Sequence, residues 1–235
     1  MSDTFTHYRA CNLCEAICGL KIEVRGKEIV SIKGDPDDPL SRGHICPKAV
    51  ALKDIYEDPD RLRKPVKRTP EGWVEMEWEE AYDAVVAGLK QVQEKHGKDA
   101  VGVYLGNPTV HNWGSMLFGP DFLRTLETRN RFSATSADQL PHHLAAYYMY
   151  GHYLSIPVPD VDRTDYMLIL GANPLVSNGS LMTAPGMHRR LKAIRARGGK
   201  VVVVDPRFTE TAAAADQHVF VRPGQDAFLL LALIH

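Results

Sequence analysis

A chain of 235 residues with 44% hydrophobic and 24% charged side chains has the make-up of an ordinary folded protein, long enough for one sizeable core and a small satellite. Its formal net charge of −1 gives no general attraction to nucleic acid or to anionic lipid, and no apolar run approaches the ~18 residues of a membrane helix. The segment Met1–Arg9 has neither an apolar signal core nor a twin arginine, so the expected protein is cytoplasmic, has reduced thiols, and neither binds nucleic acid nor inserts into a membrane.

The first element in the chain is a cysteine pattern. Cys11, Cys14 and Cys18 are spaced C-x2-C and C-x3-C, and Cys46 follows after 27 intervening residues in Cys46-Pro47-Lys48. No other cysteine exists in the sequence. Four thiols in this spacing predict a single four-sulfur metal site. An iron–sulfur cluster is favoured by the x3 gap and the Cys-Pro ending, and a structural zinc is the rival that also takes four sulfurs. A pair of disulfides fits poorly with a reducing compartment and with the nearness of Cys11 to Cys14.

Between the third and fourth cysteines, residues 20–34 alternate in polarity around Gly26-Lys27. This predicts a β-hairpin that returns the chain to the first three thiols. Residues 34–39 are rich in turn formers, and residues 53–78, with their prolines and charges, read as a linker. From Glu79 to His96, Tyr82, Val85, Val86, Leu89 and Val92 follow a helical period; two glutamates open the helix and Gly97 closes it.

The remainder alternates strand and helix. Apolar runs at 100–105, 166–170 and 200–204 predict buried strands, and helices are expected near 116–126, 142–150 and 188–197. This pattern argues for a parallel α/β sheet of the doubly wound kind. The strands run into Gly106-Asn107-Pro108, Gly171-Ala172-Asn173-Pro174 and Asp205-Pro206-Arg207. Ligands of such sheets bind outside the carboxyl ends of the strands, although each turn taken singly also reads as a plain strand-to-helix connection. No G-x-G-x-x-G is present, so the usual nicotinamide fingerprint is missing. At the end of the chain, Gln225–His235 reads as the opening turns of a buried helix with no cap or polar tail. It is expected to belong to a longer protein, the alternative being a natural terminal helix that packs fully.

The cysteine pattern ending in Cys46-Pro47-Lys48, the string Val203–Thr211, the pair Ala215-Asp216 and Arg222–Asp226, with Gly171–Pro174 between, together resemble the molybdopterin oxidoreductases of the dimethyl sulfoxide reductase superfamily. The likeness runs over the whole chain. It implies a 4Fe-4S cluster domain over residues 1–58 and a molybdopterin-dinucleotide-binding α/β region over 59–235. It also implies that Cys11, Cys14, Cys18 and Cys46 bind the cluster, and that Lys48 is the basic residue between cluster and pterin. The loop Ala172–Gly179 would wrap one molybdopterin guanine dinucleotide, with Asn173 and Asn178 as hydrogen-bonding members. Asp205 would accept from the nucleotide's ribose or guanine, beside Arg207 and Thr209, and Gly224, Gln225 and Asp226 would form a later nucleotide-binding turn.

The sequence departs from that family at the active metal. Formate dehydrogenases and periplasmic nitrate reductases supply a cysteine or selenocysteine there, and none remains in this chain. A gapless register puts Asp138 at the position, with Ser136 as the competitor, and oxygen suits a hard, high-valent metal. The plain alternative for Asp138 is a helix cap. Gln139 stands where formate dehydrogenases carry a histidine, which weakens formate as substrate. The resemblance implies a molybdenum or tungsten oxidoreductase with bis-molybdopterin guanine dinucleotide, a small-molecule redox substrate and an electron-transfer protein or subunit as partner. The rival reading is a non-catalytic electron-transfer or cofactor-binding module.

Overall fold

The structure is a computed structural model that describes residues 4–235; the first three residues of the N-terminal segment considered above lie outside it. In chain order the elements are β1 (Thr4–Ala10), β2 (Gly19–Arg25), β3 (Glu28–Gly34), α1 (Pro47–Val50), α2 (Leu52–Glu57), β4 (Val66–Thr69), β5 (Gly72–Glu75), α3 (Trp78–His96), β6 (Val103–Leu105), α4 (Trp113–Leu126), β7 (Arg131–Ser133), α5 (Thr135–Asp138) and α6 (Leu140–Tyr150). They continue with β8 (Tyr166–Leu170), α7 (Pro174–Ser177), α8 (Met187–Ala196), β9 (Lys200–Val204), α9 (Glu210–Ala214), β10 (Gln217–Val219) and α10 (Asp226–Ile234). Two compact units result, one formed by residues 1–50 with 141–235, the other by residues 51–140.

The first unit contains two sheets. One is antiparallel, β1-β2-β3, with β2 and β3 joined by the Gly26-Lys27 turn that the alternation predicts. Gly26 adopts φ +62°, the left-handed conformation such tight turns require. Leu20, Ile22 and Ile32 form its buried face, and Ile22 lies directly opposite Ile32. The flanking strand β1 has no counterpart in the sequence reading; every one of its residues is exposed, so no apolar alternation marks it.

The second sheet is parallel, in the order β10-β9-β8. Val201, Val202, Val203 and Val204 are all buried because β9 is central and covered on both faces. On α8, Met187, Leu191 and Ile194 recur at helical spacing and close the core with Val161, Ile169, Ala184 and Ala212. Burying these apolar side chains, each worth roughly 1.5–3 kcal/mol for the larger ones, holds this half together.

The second unit departs from the sequence reading in two places. Residues 53–78 are not a plain linker: they hold α2 and the antiparallel hairpin β4–β5. Only Val66 and Thr69 of β4 and Gly72 of β5 are even partly covered, which leaves little pattern to read. The strand expected at 100–105 shortens to Val103–Leu105 and pairs in parallel with β7, so it forms a separate two-stranded sheet and does not join β8 and β9. The pairing is anchored by the Thr128 hydroxyl, which donates to the Val101 carbonyl at 2.6 Å, and by the Asn130 amide, which donates to Asp99 at 2.6 Å. Helix α3 forms as predicted, with Tyr82, Val85, Val86 and Val92 exposed.

Candidate cofactor site

The four cysteines converge by simple strand logic. The pairing of Ala10 with Gly19 sets Cys11 and Cys18 at the open end of β1–β2, where the Cys11 N–H donates to the Cys18 carbonyl at 2.8 Å. Cys14 is turned back by the Ile17 N–H donating to its carbonyl at 3.1 Å, with Ile17 at φ +37°. Cys46 arrives from the far side of the hairpin. The Asp35 N–H bonds the Gly19 carbonyl at 2.9 Å, and the Gly43 N–H bonds the Asp35 carbonyl at 2.8 Å. Cys46 then directly precedes α1.

Two close approaches make this return possible. A Cβ on Gly19 would lie 2.5 Å from the Asp38 Cβ, and one on Gly34 would lie 2.2 Å from the Gly43 carbonyl oxygen. Ser41, fully buried, ties the same layers: its hydroxyl accepts from the Gly19 N–H at 3.1 Å and donates to Asp38 at 2.7 Å.

All four cysteines are free thiols, Cys11 and Cys18 buried. Burial pushes the Cys11 thiol up, and it pushes Cys18 up to about 11, with Cys14 and Cys46 acting on both in the same direction. Four thiolates held so near one another repel, and a metal centre removes that repulsion by ligation. The donor set therefore fits a metal group. Among the described residues no set of three or more His, Cys, Asp and Glu side chains is close enough for one metal ion.

Lys48 lies in α1, exposed, two residues beyond Cys46. Asp138 is the last residue of the one-turn helix α5 in the other unit; it and Ser136 are exposed. The Asp138 N–H closes α5 onto the Ala134 carbonyl at 3.1 Å, and its side chain caps no helix start among the described residues.

The remaining candidates gather at the carboxyl ends of the parallel strands. The Gly171 N–H extends the ladder to the Val204 carbonyl at 2.9 Å, so Gly171-Ala172-Asn173 and Asp205-Pro206-Arg207 leave the sheet side by side. Asn173 bonds within the fold: its amide donates to Glu210 at 2.7 Å, and its oxygen accepts from the Thr211 hydroxyl at 2.7 Å. It pins α7 to α9. Thr209 is buried as the cap of α9, its hydroxyl accepting from the Ala212 N–H at 3.0 Å. Asn178 and Gly179 are both left-handed, at φ +53° and +92°, and turn the loop after α7. Asp205 is buried, with one carboxylate oxygen accepting from the Arg207 N–H at 2.8 Å. Gly224 at φ +78° and Gln225 lead into α10, with Asp226 in its first turn.

Several site neighbours carried no readable signal. His218 meets the Asp205 carbonyl at 3.0 Å and packs against Phe208 and Phe220 at ring separations of 5.3 and 4.3 Å. Arg190, in a helix that reads as basic, is buried; its register with Met187 and Ile194 was the available clue. Ser41 and Asp38 sit in a loop whose composition says only turn.

A four-thiol loop joined to a parallel sheet, with glycine turns and a buried carboxylate at the strand ends, defines a cofactor-binding α/β protein. Comparison with known proteins gives it a family. Residues 6–58 match the molybdopterin oxidoreductase Fe4S4 domain, and residues 61–235 match the molybdopterin oxidoreductase family. The chain belongs to the molybdopterin oxidoreductases. Its family sets the cofactors as a 4Fe-4S cluster and a molybdopterin carrying molybdenum or tungsten.

Among its relatives are the formate dehydrogenase-O major subunit of Escherichia coli, 28% identical over 96% of this chain and 24% of the relative, and the thiosulfate reductase molybdopterin-containing subunit of Salmonella typhimurium, 28% identical over 96% and 28%. The solved acetylene hydratase from Pelobacter acetylenicus superposes with a TM-score of 0.74 at 26% identity, covering 97% of this chain and 31% of that one. The chain thus spans about a quarter to a third of the length of these proteins. Among the described residues, no helix is long and apolar enough to cross a membrane.

Proposed function

We propose that this chain is the cofactor-binding portion of a molybdenum- or tungsten-dependent oxidoreductase of the formate dehydrogenase and nitrate reductase kind, using bis-molybdopterin guanine dinucleotide. The convergence of all four thiols at one end of the β1–β2 pair carries the reading. When bound, the metal–pterin group would supply two-electron or oxo-transfer chemistry on a small substrate, and a redox protein or subunit would exchange electrons with the cluster. The proposed setting is the cytoplasm.

The chain's own residues supply binding and position. Cys11, Cys14, Cys18 and Cys46 would hold the cluster within residues 1–58. Lys48, exposed and without a hydrogen bond or ion pair among the described residues, offers a cation beside that centre. In residues 59–235, the Ala172–Gly179 loop, Asp205, Arg207 and the Gly224–Asp226 turn would receive the dinucleotide at the strand ends. Asn173 and Thr209 serve the same site by fixing the backbone that lines it. Asp138, or Ser136, would ligate the metal through oxygen.

Anaerobic purification followed by metal, sulfide and nucleotide analysis tests the reading. It expects about four irons and four sulfides per chain, with molybdenum or tungsten and guanine nucleotide in the loaded protein. Cys46→Ser should lose most of the iron. Stoichiometric zinc without visible absorbance would overturn it.

A further inference from the structure

The first turn of helix α8 carries two arginines, Arg189 and Arg190, that do not behave as a solvated pair. The Arg190 side chain is only 9% exposed, although a lone buried guanidinium is strongly disfavoured. Each of its three nitrogens has an acceptor. Nε donates to the Pro185 carbonyl at 2.9 Å, Nη1 to the Asp162 carboxylate, and Nη2 to the Leu40 carbonyl across 150 residues of sequence. Arg42, from the same loop as Leu40, reaches the same Asp162 oxygen at 3.0 Å. Arg189 adds donors to the carbonyls of Arg42 at 3.1 Å and Ser41 at 3.3 Å. The helix start also approaches the loop sterically, since a Cβ on Gly186 would touch the His44 side chain at 3.4 Å.

This loop is the one that delivers Cys46. It also bonds the backbone next to Cys18, because the Ser41 hydroxyl receives the Gly19 N–H. A continuous set of contacts therefore runs from α8 through Leu40, Ser41 and Arg42 to the backbone on both sides of the four-cysteine site. The parallel sheet whose ends carry the proposed dinucleotide site shares its core with α8 through Met187, Leu191 and Ile194, the buried stripe of the helix that Arg190 also belongs to.

We propose that Arg190, seated on Asp162 and supported by Arg189, is the positioning residue that fixes the four-cysteine loop against the parallel-sheet half of the same unit. The cluster part of this inference rests on the function proposed above; the loop part does not. Arginine is required because a planar guanidinium can serve three acceptors in three directions, which a lysine ammonium on a flexible stem cannot hold simultaneously. Asp162 pairs with the buried Arg190 and also meets Arg42, whose side chain is exposed, so one carboxylate faces two guanidinium groups and the surplus positive charge lies on the solvent side.

The test compares wild type with Arg190→Lys, Asp162→Asn and the milder Arg189→Ala in the full 235-residue chain. Amide hydrogen exchange is read at Gly19, Arg42, Gly43 and His44, with the Ile22–Ile32 ladder and β8–β9 as internal references. Exchange at the loop amides should rise about tenfold or more when a charge-assisted bond is lost, while the reference strands stay protected. A uniform rise over loop and references in all folded variants would show that Arg190 is a general core residue, and no rise in Arg189→Ala and Asp162→Asn would overturn the proposal outright. If Arg190→Lys does not fold, those two variants decide alone. In anaerobically reconstituted chains, the variants should keep wild-type iron content yet shift the reduction potential and broaden the EPR signal of the cluster. Wild-type chain that takes up no iron would reject the cluster reading while leaving the exchange result standing.

Discussion

Gly34 and Gly43 are in backbone contact across the four-cysteine domain: a methyl group on Gly34 would place its carbon 2.2 Å from the Gly43 carbonyl oxygen. The end of β3 and the loop leading to Cys46 thus meet with no room for any side chain. Gly43 also adopts φ +78°, which a β-carbon resists.

Gly34→Ala should therefore push the Cys46 loop away from the hairpin. Overpacking of this kind costs about 1–3 kcal/mol, readable as a lower urea midpoint with an unchanged slope. Iron uptake on anaerobic reconstitution should fall with it, because Cys46 no longer reaches the other thiols. Wild-type midpoint and iron content would show that the contact relaxes freely.

Asp38 makes the same loop sensitive to acid. Burial favours its neutral form, but the Ser41 hydroxyl and N–H at 2.7 and 2.6 Å, with bonds from Gly19 and Leu40, outweigh that and hold its carboxyl below the usual value. A carboxylate whose folded pKa is depressed stabilises the fold fully above the unfolded value of about 3.9, and that contribution is lost as pH falls through the lower folded value. Protection of Ser41, Arg42 and Gly43 amides, corrected for intrinsic exchange, should stay constant from pH 7 to about 4 and drop below it. In Asp38→Asn the drop should vanish. A wild-type drop centred near neutrality would assign the effect to another group.

The sequence carries the elements whose pattern is local. Gly26-Lys27 between alternating segments marks β2–β3, and the valine run at 201–204 marks a strand covered on both faces. Helix α3 is legible from its glutamates, its period and Gly97. What escapes depends on distant partners. Val103–Leu105 reads as a member of the main sheet, and only the Thr128 and Asn130 bonds reveal that it pairs with β7. Exposed β1 and the β4–β5 hairpin present almost no apolar face to detect. At the site, the cysteine spacing is enough to place the four thiols together. The engagement of Asn173 with Glu210 and Thr211, and of Arg190 with Leu40, needs contacts 37 or more residues apart.

Lys48 offers a test of electron exchange. It stands two residues after Cys46 in the first turn of α1, exposed and without a hydrogen bond or ion pair among the described residues, and is the cation proposed beside the cluster. Lys48→Met removes the charge and keeps the length. In the loaded full-length protein, both cofactors should remain at wild-type stoichiometry, while electron exchange between them slows and the cluster potential falls, since a nearby cation stabilises the reduced, more negative state. Unchanged potential and unchanged exchange would make Lys48 an ordinary surface lysine.

Asp138 is the residue proposed to ligate the metal through oxygen. All four cysteines of this chain are assigned to the proposed cluster, which leaves none of them to ligate the metal. Asp138 is exposed at the end of α5. Carboxylate oxygen suits a hard, high-valent metal. Asp138→Ala in full-length protein should keep the fold, the iron and the sulfide, because the side chain supports none of them, and should abolish turnover. Asp138→Cys should retain metal with an altered absorption edge, sulfur being the softer donor. X-ray absorption at the molybdenum or tungsten edge reads the ligand directly. Identical spectra for wild type and Asp138→Ala would reject this carboxylate, and the same comparison with Ser136→Ala would then locate the oxygen donor.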